Sequence, residues 1–134
     1  MSPMLRAAAS AAANSAYAPY SHIFVGAALR SALGRVYAGC NVENASFPVG
    51  NCAERAALAA AVLAEGKAFE LQSIAIVARD ARGRELSAPP CGACRQALIE
   101  FGPQAQVDFI GPDGQWLTVI AGDLLPHRFA FPPA

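Results

Sequence analysis

The sequence predicts a layered α/β domain whose sheet is largely buried. Three observations carry this expectation. Helix-forming and strand-forming segments alternate along the chain, which favours helices packed on a sheet. Residues 71–78 read as a buried strand centred on Ile74-Ala75-Ile76-Val77. A length of 134 residues suits one domain with a core of its own.

Ser2-Pro3 marks a helix start, since proline is accepted in a first turn, and the alanine-rich run to about Ala13 has high helix propensity before Asn14-Ser15 closes it. Its apolar residues are mostly Ala, too weak for a spanning helix or a secretory leader. The chain is therefore read as a cytoplasmic protein with no membrane partner. Residues 17–21 form a turn, and 23–29 and 35–41 form a hairpin whose loop lies around Gly34.

Residues 44–50 read as a loop rich in Asn, Ser, Pro and Gly. Asn51 is expected to cap a helix from Cys52 to about Glu65, stopped by Gly66. Residues 80–87 read as a polar turn region, and Ala88-Pro89-Pro90 ends any strand before Cys91. A helix over 92–100 closes at Gly102-Pro103. Strands at 106–110 and 116–119 flank Gly111-Pro112-Asp113-Gly114, which is strong turn chemistry, and residues 123–126 form a short turn or helical piece. There is no internal repeat and no linker.

The chain carries ten Lys and Arg against ten Asp and Glu, for a formal net charge of zero. With Lys and Arg dispersed, the electrostatic attraction that drives binding to nucleic-acid backbones is largely missing, and a small neutral or zwitterionic ligand is expected. Four cysteines in a reducing compartment point to metal or redox chemistry rather than a disulfide scaffold.

Cys52, Cys91 and Cys94 have the spacing of three thiolate zinc ligands that leave the fourth tetrahedral position open to water, the mark of a catalytic site. All three are expected at helix starts, where the macrodipole and free N–H groups stabilise thiolates. Arg55 and Arg95 are the candidate cations donating to the sulfurs. Glu54, two residues after Cys52, is placed to move protons between water and substrate nitrogen. Cys-Ala-Glu followed by Pro-Cys-x-x-Cys is the pattern of zinc deaminases with three cysteines.

Rival readings are weaker. A redox Cys-x-x-C pair needs no third cysteine, and a structural zinc site needs a fourth ligand. Cys40 lies inside a strand pattern and reads as a small core residue. His22 and His127 are set aside as ligands because the three cysteines already fill the site.

Four intact motifs cover the chain from about Tyr17 to Phe129: Val25-Gly26-Ala27-Ala28-Leu29, Gly39-Cys40-Asn41-Val42-Glu43-Asn44, Cys52-Ala53-Glu54-Arg55, and Pro90 through Gln96. With them the chain resembles the small, all-cysteine, homotetrameric cytidine deaminases. That resemblance implies a three-layer α/β/α sandwich with a central mixed five-stranded sheet, a single domain over 1–134 with its core about 17–129. It implies one Zn²⁺ per chain and hydrolytic deamination of cytidine and deoxycytidine in pyrimidine salvage.

It further implies that Asn41 and Glu43 bind the ribose hydroxyls, that the Ala53 backbone contacts the base and that Glu54 is the proton shuttle. Leu124-Leu125-Pro126 and Phe129 match a family segment whose phenylalanine closes a neighbouring subunit's pocket, which implies a homotetramer with sites near its interfaces. Packing of Phe129 and Phe131 within one subunit is the other reading of that tail. The chain departs from the family at Ile23, which takes the position of an aromatic that packs on the nucleoside. Phe24 follows it, and a shift of one residue in a strand points to the opposite face. Ile23 thus makes a modified cytosine nucleoside an alternative substrate.

Overall fold

In the computed structural model residues 2–133 are described; Met1 and Ala134, the outermost residues of the expected 1–134 domain, lie outside them. Helix α1, Pro3–Ala13, begins on Ser2, whose hydroxyl accepts the Leu5 N–H at 3.3 Å. This satisfies one of the free donors of the first turn. Strands β1, Phe24–Ser31, and β2, Val36–Cys40, form the hairpin, with Gly34 at φ +84° in its turn. Helix α2 spans Ala53–Glu65 and stops at Gly66, whose φ of +72° suits glycine. Strand β3 is Leu71–Arg79, β4 is Glu85–Leu86, helix α3 is Gly92–Phe101, and strands β5 and β6 are Gln106–Ile110 and Trp116–Ile120.

Two local expectations change. Cys52, not Asn51, is the N-cap of α2, because Asn51 is held in backbone pairing with Val42. The polar region at 80–87 contains β4, which pairs Ala78 with Leu86 and Arg79 with Glu85. Short one-turn helices also occur at Phe47–Val49 and Ala121–Leu124.

The sheet follows the order β2-β1-β3-β5-β6, with β4 beside β3 off that path. It is mixed, since β3 and β5 are parallel and the other neighbours are antiparallel. Side chains alternate between its faces. Ala27 and Leu29 of β1, with Ile74 and Ile76 of β3, join Ala57, Leu58 and Ala61 of α2 and Leu98 of α3 in the main core. Ala28, Ala75 and Val77 face the other way and pack on Leu5 and Ala9 of α1. The architecture is the expected three layers, α1 on one face and α2 with α3 on the other.

Topology places the starts of both functional helices at one end of the strands. β2 and β3 each run antiparallel to β1, so they share a direction. The chain passes from β2 to α2, and from β3 through the short antiparallel β4 to α3; after β4 the Ala88 N–H bonds the Ile110 carbonyl at the C-terminal end of β5, which is parallel to β3, so both helices begin beyond the same end of the strands. Gly39 lets α2 settle directly on β2: a Cβ there would lie 2.5 Å from Ala57 N and 2.7 Å from Ala53 O. That close approach sets the height of the first turn of α2.

Candidate functional site

Cys52 is the N-cap of α2 and Cys91 the N-cap of α3, while Cys94 lies in the first turn of α3. Their sulfurs all lie within 4.8 Å of one another, with Cys52 and Cys91 Sγ 4.0 Å apart. Tetrahedral thiolates at a Zn–S distance of about 2.3 Å stand roughly 3.8 Å apart, so the donor set and its spacing suit zinc. Cys94 is fully buried behind the other two sulfurs, and Cys40 is not in the cluster.

Arg55 Nη2 donates to Cys52 Sγ at 3.5 Å. The Cys52 thiol is pulled down to about 5, first by the hydrogen bond from Cys94 and next by Arg55, against the opposing effect of burial. Cys94, which gives that hydrogen bond and is buried, is pushed up. Arg95 hydrogen-bonds to backbone carbonyls instead of the sulfurs. Its Nε donates to the Pro90 carbonyl at 2.8 Å and its Nη1 to the Leu124 carbonyl at 3.1 Å, tying the start of α3 to the C-terminal segment.

Glu54 sits in the first turn of α2 at 5% exposure, beside the cluster. Burial pushes its carboxyl above the usual glutamate value, with the charge on Cys52 adding to the rise. A carboxyl so placed holds a proton more readily than one in water and is suited to acid/base work.

A cavity of about 810 Å³ opens in front of these groups, with Cys52, Ala53, Glu54 and Cys91 on its floor. Asn41 and Glu43 line one wall. Asn41 is anchored by β1: its Oδ1 accepts the Val25 N–H at 2.8 Å and its Nδ2 donates to the Ile23 carbonyl at 2.9 Å. An amide has two donors and about two acceptor sites, so one of each remains for a ligand. Glu43 Oε1 accepts the N–H groups of Tyr20 and Ser21 at 3.0 and 3.1 Å, and Oε2 accepts the Ser21 hydroxyl at 2.5 Å.

Ile23 lies on the cavity wall at 42% exposure. Phe24 is the next residue and enters β1 paired with Arg79. Its neighbour two residues on, Gly26, touches Ala9 and Ala13 of α1, so strand alternation turns Phe24 to the α1 face. The only aromatics in the cavity wall among the described residues are Tyr20 and Phe47, whose rings meet edge to face at 6.0 Å. Sequence reasoning missed both, and Ser21 with them. The available signal was an apolar Phe47 beside Pro48 in an otherwise polar loop just before the ligand-bearing helix. Phe129 is not on this chain's own cavity wall; it is 68% exposed, its ring packs on Phe131 at 5.5 Å and its carbonyl accepts from Gln96 Nε2 at 2.9 Å.

Three converging thiols at two helix starts, a buried carboxyl beside them and an open cavity in front form the layout of a catalytic metal site of a hydrolase. Comparison with known proteins narrows that class. The family described as cytidine and deoxycytidylate deaminase zinc-binding region matches residues 3–109. Cytidine deaminase of Halalkalibacterium halodurans is 43% identical over 115 residues, covering 85% of this chain and 83% of the relative. That of Mycobacterium tuberculosis is 44% identical over 126 residues, covering 94% of this chain and 87% of the relative. The crystal structure of cytidine deaminase from Burkholderia pseudomallei superposes with a TM-score of 0.85 at 46% identity, covering 96% of this chain and all of that one. The chain belongs to the cytidine deaminase family. Cys52, Cys91 and Cys94 form the cluster that can bind its one zinc ion.

Proposed function

We propose that this protein hydrolyses the C4 amino group of cytidine and deoxycytidine, giving the uracil nucleoside and ammonia, as a cytoplasmic enzyme of pyrimidine salvage. The observation that supports this reading most is the buried Glu54 carboxyl beside the three-cysteine cluster, on the floor of a cavity whose wall carries Asn41 and Glu43. Cys52, Cys91 and Cys94 would hold the zinc ion, which would supply Lewis-acid activation of water. Three thiolates outweigh the charge of Zn²⁺ by one, and Arg55 on Cys52 offsets that excess.

Glu54 takes a proton from the attacking water and delivers it to the ring nitrogen next to C4. It then carries the second proton to the departing amine, so that water adds and ammonia leaves. Its raised affinity for protons lets one carboxyl serve as base and acid in turn. Asn41 and Glu43 bind the sugar hydroxyls, and the Ala53 backbone contacts the base from the floor. The test is to incubate zinc-loaded protein with cytidine and deoxycytidine, following the loss of cytosine absorbance. Turnover of both is expected, with Glu54→Gln lowering kcat by about 10²- to 10⁴-fold at unchanged zinc content. No turnover at one zinc per chain would refute the substrate, and full activity of the variant would refute the shuttle.

Ile23 favours a second reading of substrate range. At this position on the cavity wall stands an aliphatic side chain rather than an aromatic ring, leaving room beside the base for a modified cytosine. Ile23→Phe should then lower turnover of C5-substituted cytidines relative to cytidine.

A homotetramer is proposed as well, with sites near its interfaces. Phe47, Phe129 and Phe131 are 75%, 68% and 87% exposed, and Leu63 on α2 is 90% exposed. Large apolar groups left outside the core of one chain are the usual material of an interface. Phe129 would then close a neighbour's cavity. Light scattering behind size exclusion measures the mass, and a monomer would refute the assembly.

A further inference from the structure

The turn before β1 is held in an unusual way. His22 has a φ of +58°, a left-handed conformation that is uncommon outside glycine. The turn closes through the His22 N–H to the Ala18 carbonyl at 3.1 Å. Ser21 is its central node: its hydroxyl donates to Glu43 Oε2 at 2.5 Å and accepts the Ile23 N–H at 3.0 Å. A hydroxyl has one proton to give, and the Ile23 N–H approaches the lone-pair side, so the proton is directed to Glu43.

A carboxylate accepts at about four lone-pair sites, and three of Glu43's are taken, two on Oε1 and one on Oε2. The free site is on Oε2, at an oxygen whose orientation the Ser21 hydroxyl sets. The turn also holds Tyr20 against Phe47 on the cavity wall. The hydrogen bond from Ser21 is the largest influence holding Glu43 below the usual glutamate value, so the carboxyl stays ionised.

We propose that Ser21 is a positioning residue for nucleoside recognition: its hydroxyl orients Glu43 so that one Oε2 lone pair meets a sugar hydroxyl. This rests on the reading of Glu43 as a sugar-binding group. Ser21 touches neither the reacting carbon nor the metal ligands, so its effect falls on binding. Serine is required for its short, single-donor side chain in a tight turn, a role threonine can share.

The experiment measures kcat and KM for cytidine, and the inhibition constant of 2′,3′-dideoxycytidine, which lacks both sugar hydroxyls, in wild type, Ser21→Ala, Ser21→Thr and Glu43→Gln. Ser21→Ala should raise KM for cytidine about tenfold, with kcat and the dideoxycytidine constant within about twofold, because only a binding contact to the sugar is lost. Ser21→Thr should restore KM to within about threefold of wild type, since it keeps the hydroxyl. An equal loss on both nucleosides would mean general collapse of the turn, and a loss in kcat alone would mean a role in the chemical step; either overturns the proposal. If Glu43→Gln also fails to separate the two nucleosides, the sugar-binding reading of Glu43 falls. If Glu43→Gln separates them and Ser21→Ala does not, only the role of Ser21 falls.

Discussion

Gly39→Ala should separate the position of the catalytic helix from the stability of the fold. The added Cβ would stand 2.5 Å from Ala57 N, 2.7 Å from Ala53 O and 2.8 Å from Ala56 Cβ, where ordinary contact begins near 3.4 Å. Two of those atoms are helix backbone, which cannot rotate aside, so α2 must retreat from β2 by close to an ångström. Overpacking of this kind costs about 1–3 kcal/mol, and at about 4 °C per kcal/mol for a chain of this size the midpoint falls by about 4–12 °C.

The retreat moves the turn that holds Cys52, Glu54 and Arg55, and a misplacement of about 1 Å costs roughly 10²-fold in rate. Gly26→Ala is the control. Its Cβ would meet Ala9 O and Ala13 N of α1, on the opposite face of β1, at 2.0 and 2.5 Å. It should destabilise at least as much, yet keep kcat within about threefold, because α1 carries no site residue. Calorimetry gives the midpoints, and kcat is read well below both. Equal kcat in the two variants at equal loss of stability would show that the Gly39 contact does not set the geometry of the site.

Three further outcomes follow from the same contacts. Chelating the metal should abolish deamination and lower the midpoint, and zinc at about 100 times its dissociation constant should restore about 2.7 kcal/mol of stability; an unchanged midpoint would place the metal elsewhere. Glu43 is held below the usual value of 4.5, chiefly by the Ser21 hydroxyl, so its contribution is present above that value and lost as pH falls through the lowered one. The midpoint difference between wild type and Glu43→Ala should therefore shrink as pH falls below the usual value of 4.5 and through the lowered one, and a constant difference would contradict it. Asp108 is 5% exposed and accepts from Arg6 Nε at 3.3 Å and the Thr118 hydroxyl at 2.7 Å on the α1 side of the sheet. Asp108→Ala should cost about 2–4 kcal/mol in urea unfolding, leaving kcat within about twofold at 25 °C.

What the sequence made legible was the part of the site whose chemistry and geometry are both local. Cys52, Cys91 and Cys94 sit at helix starts, and Gly50 and Pro89-Pro90 mark in the sequence where the preceding segments end and α2 and α3 can begin. Glu54 follows from the same register. The three layers were legible for a similar reason, since alternation along β1 and β3 sorts side chains between α1 and α2 one residue at a time.

The errors fall where a residue's role is decided by a segment far away in the chain. Arg95 resembled a sulfur donor by adjacency to Cys94, but the C-terminal segment brings the Leu124 carbonyl to it from 29 residues away. Asn51 resembled a cap until pairing with Val42 claimed its backbone. Ser21 and Glu43 are 22 residues apart and meet only because β2 returns beside β1. The cavity is therefore built from two kinds of parts. Its metal end is encoded by short motifs and should tolerate changes elsewhere in the chain, whereas the end with Asn41 and Glu43, proposed to hold the sugar, depends on the β1–β2 register. A substitution that shifts that hairpin should raise KM before it touches kcat.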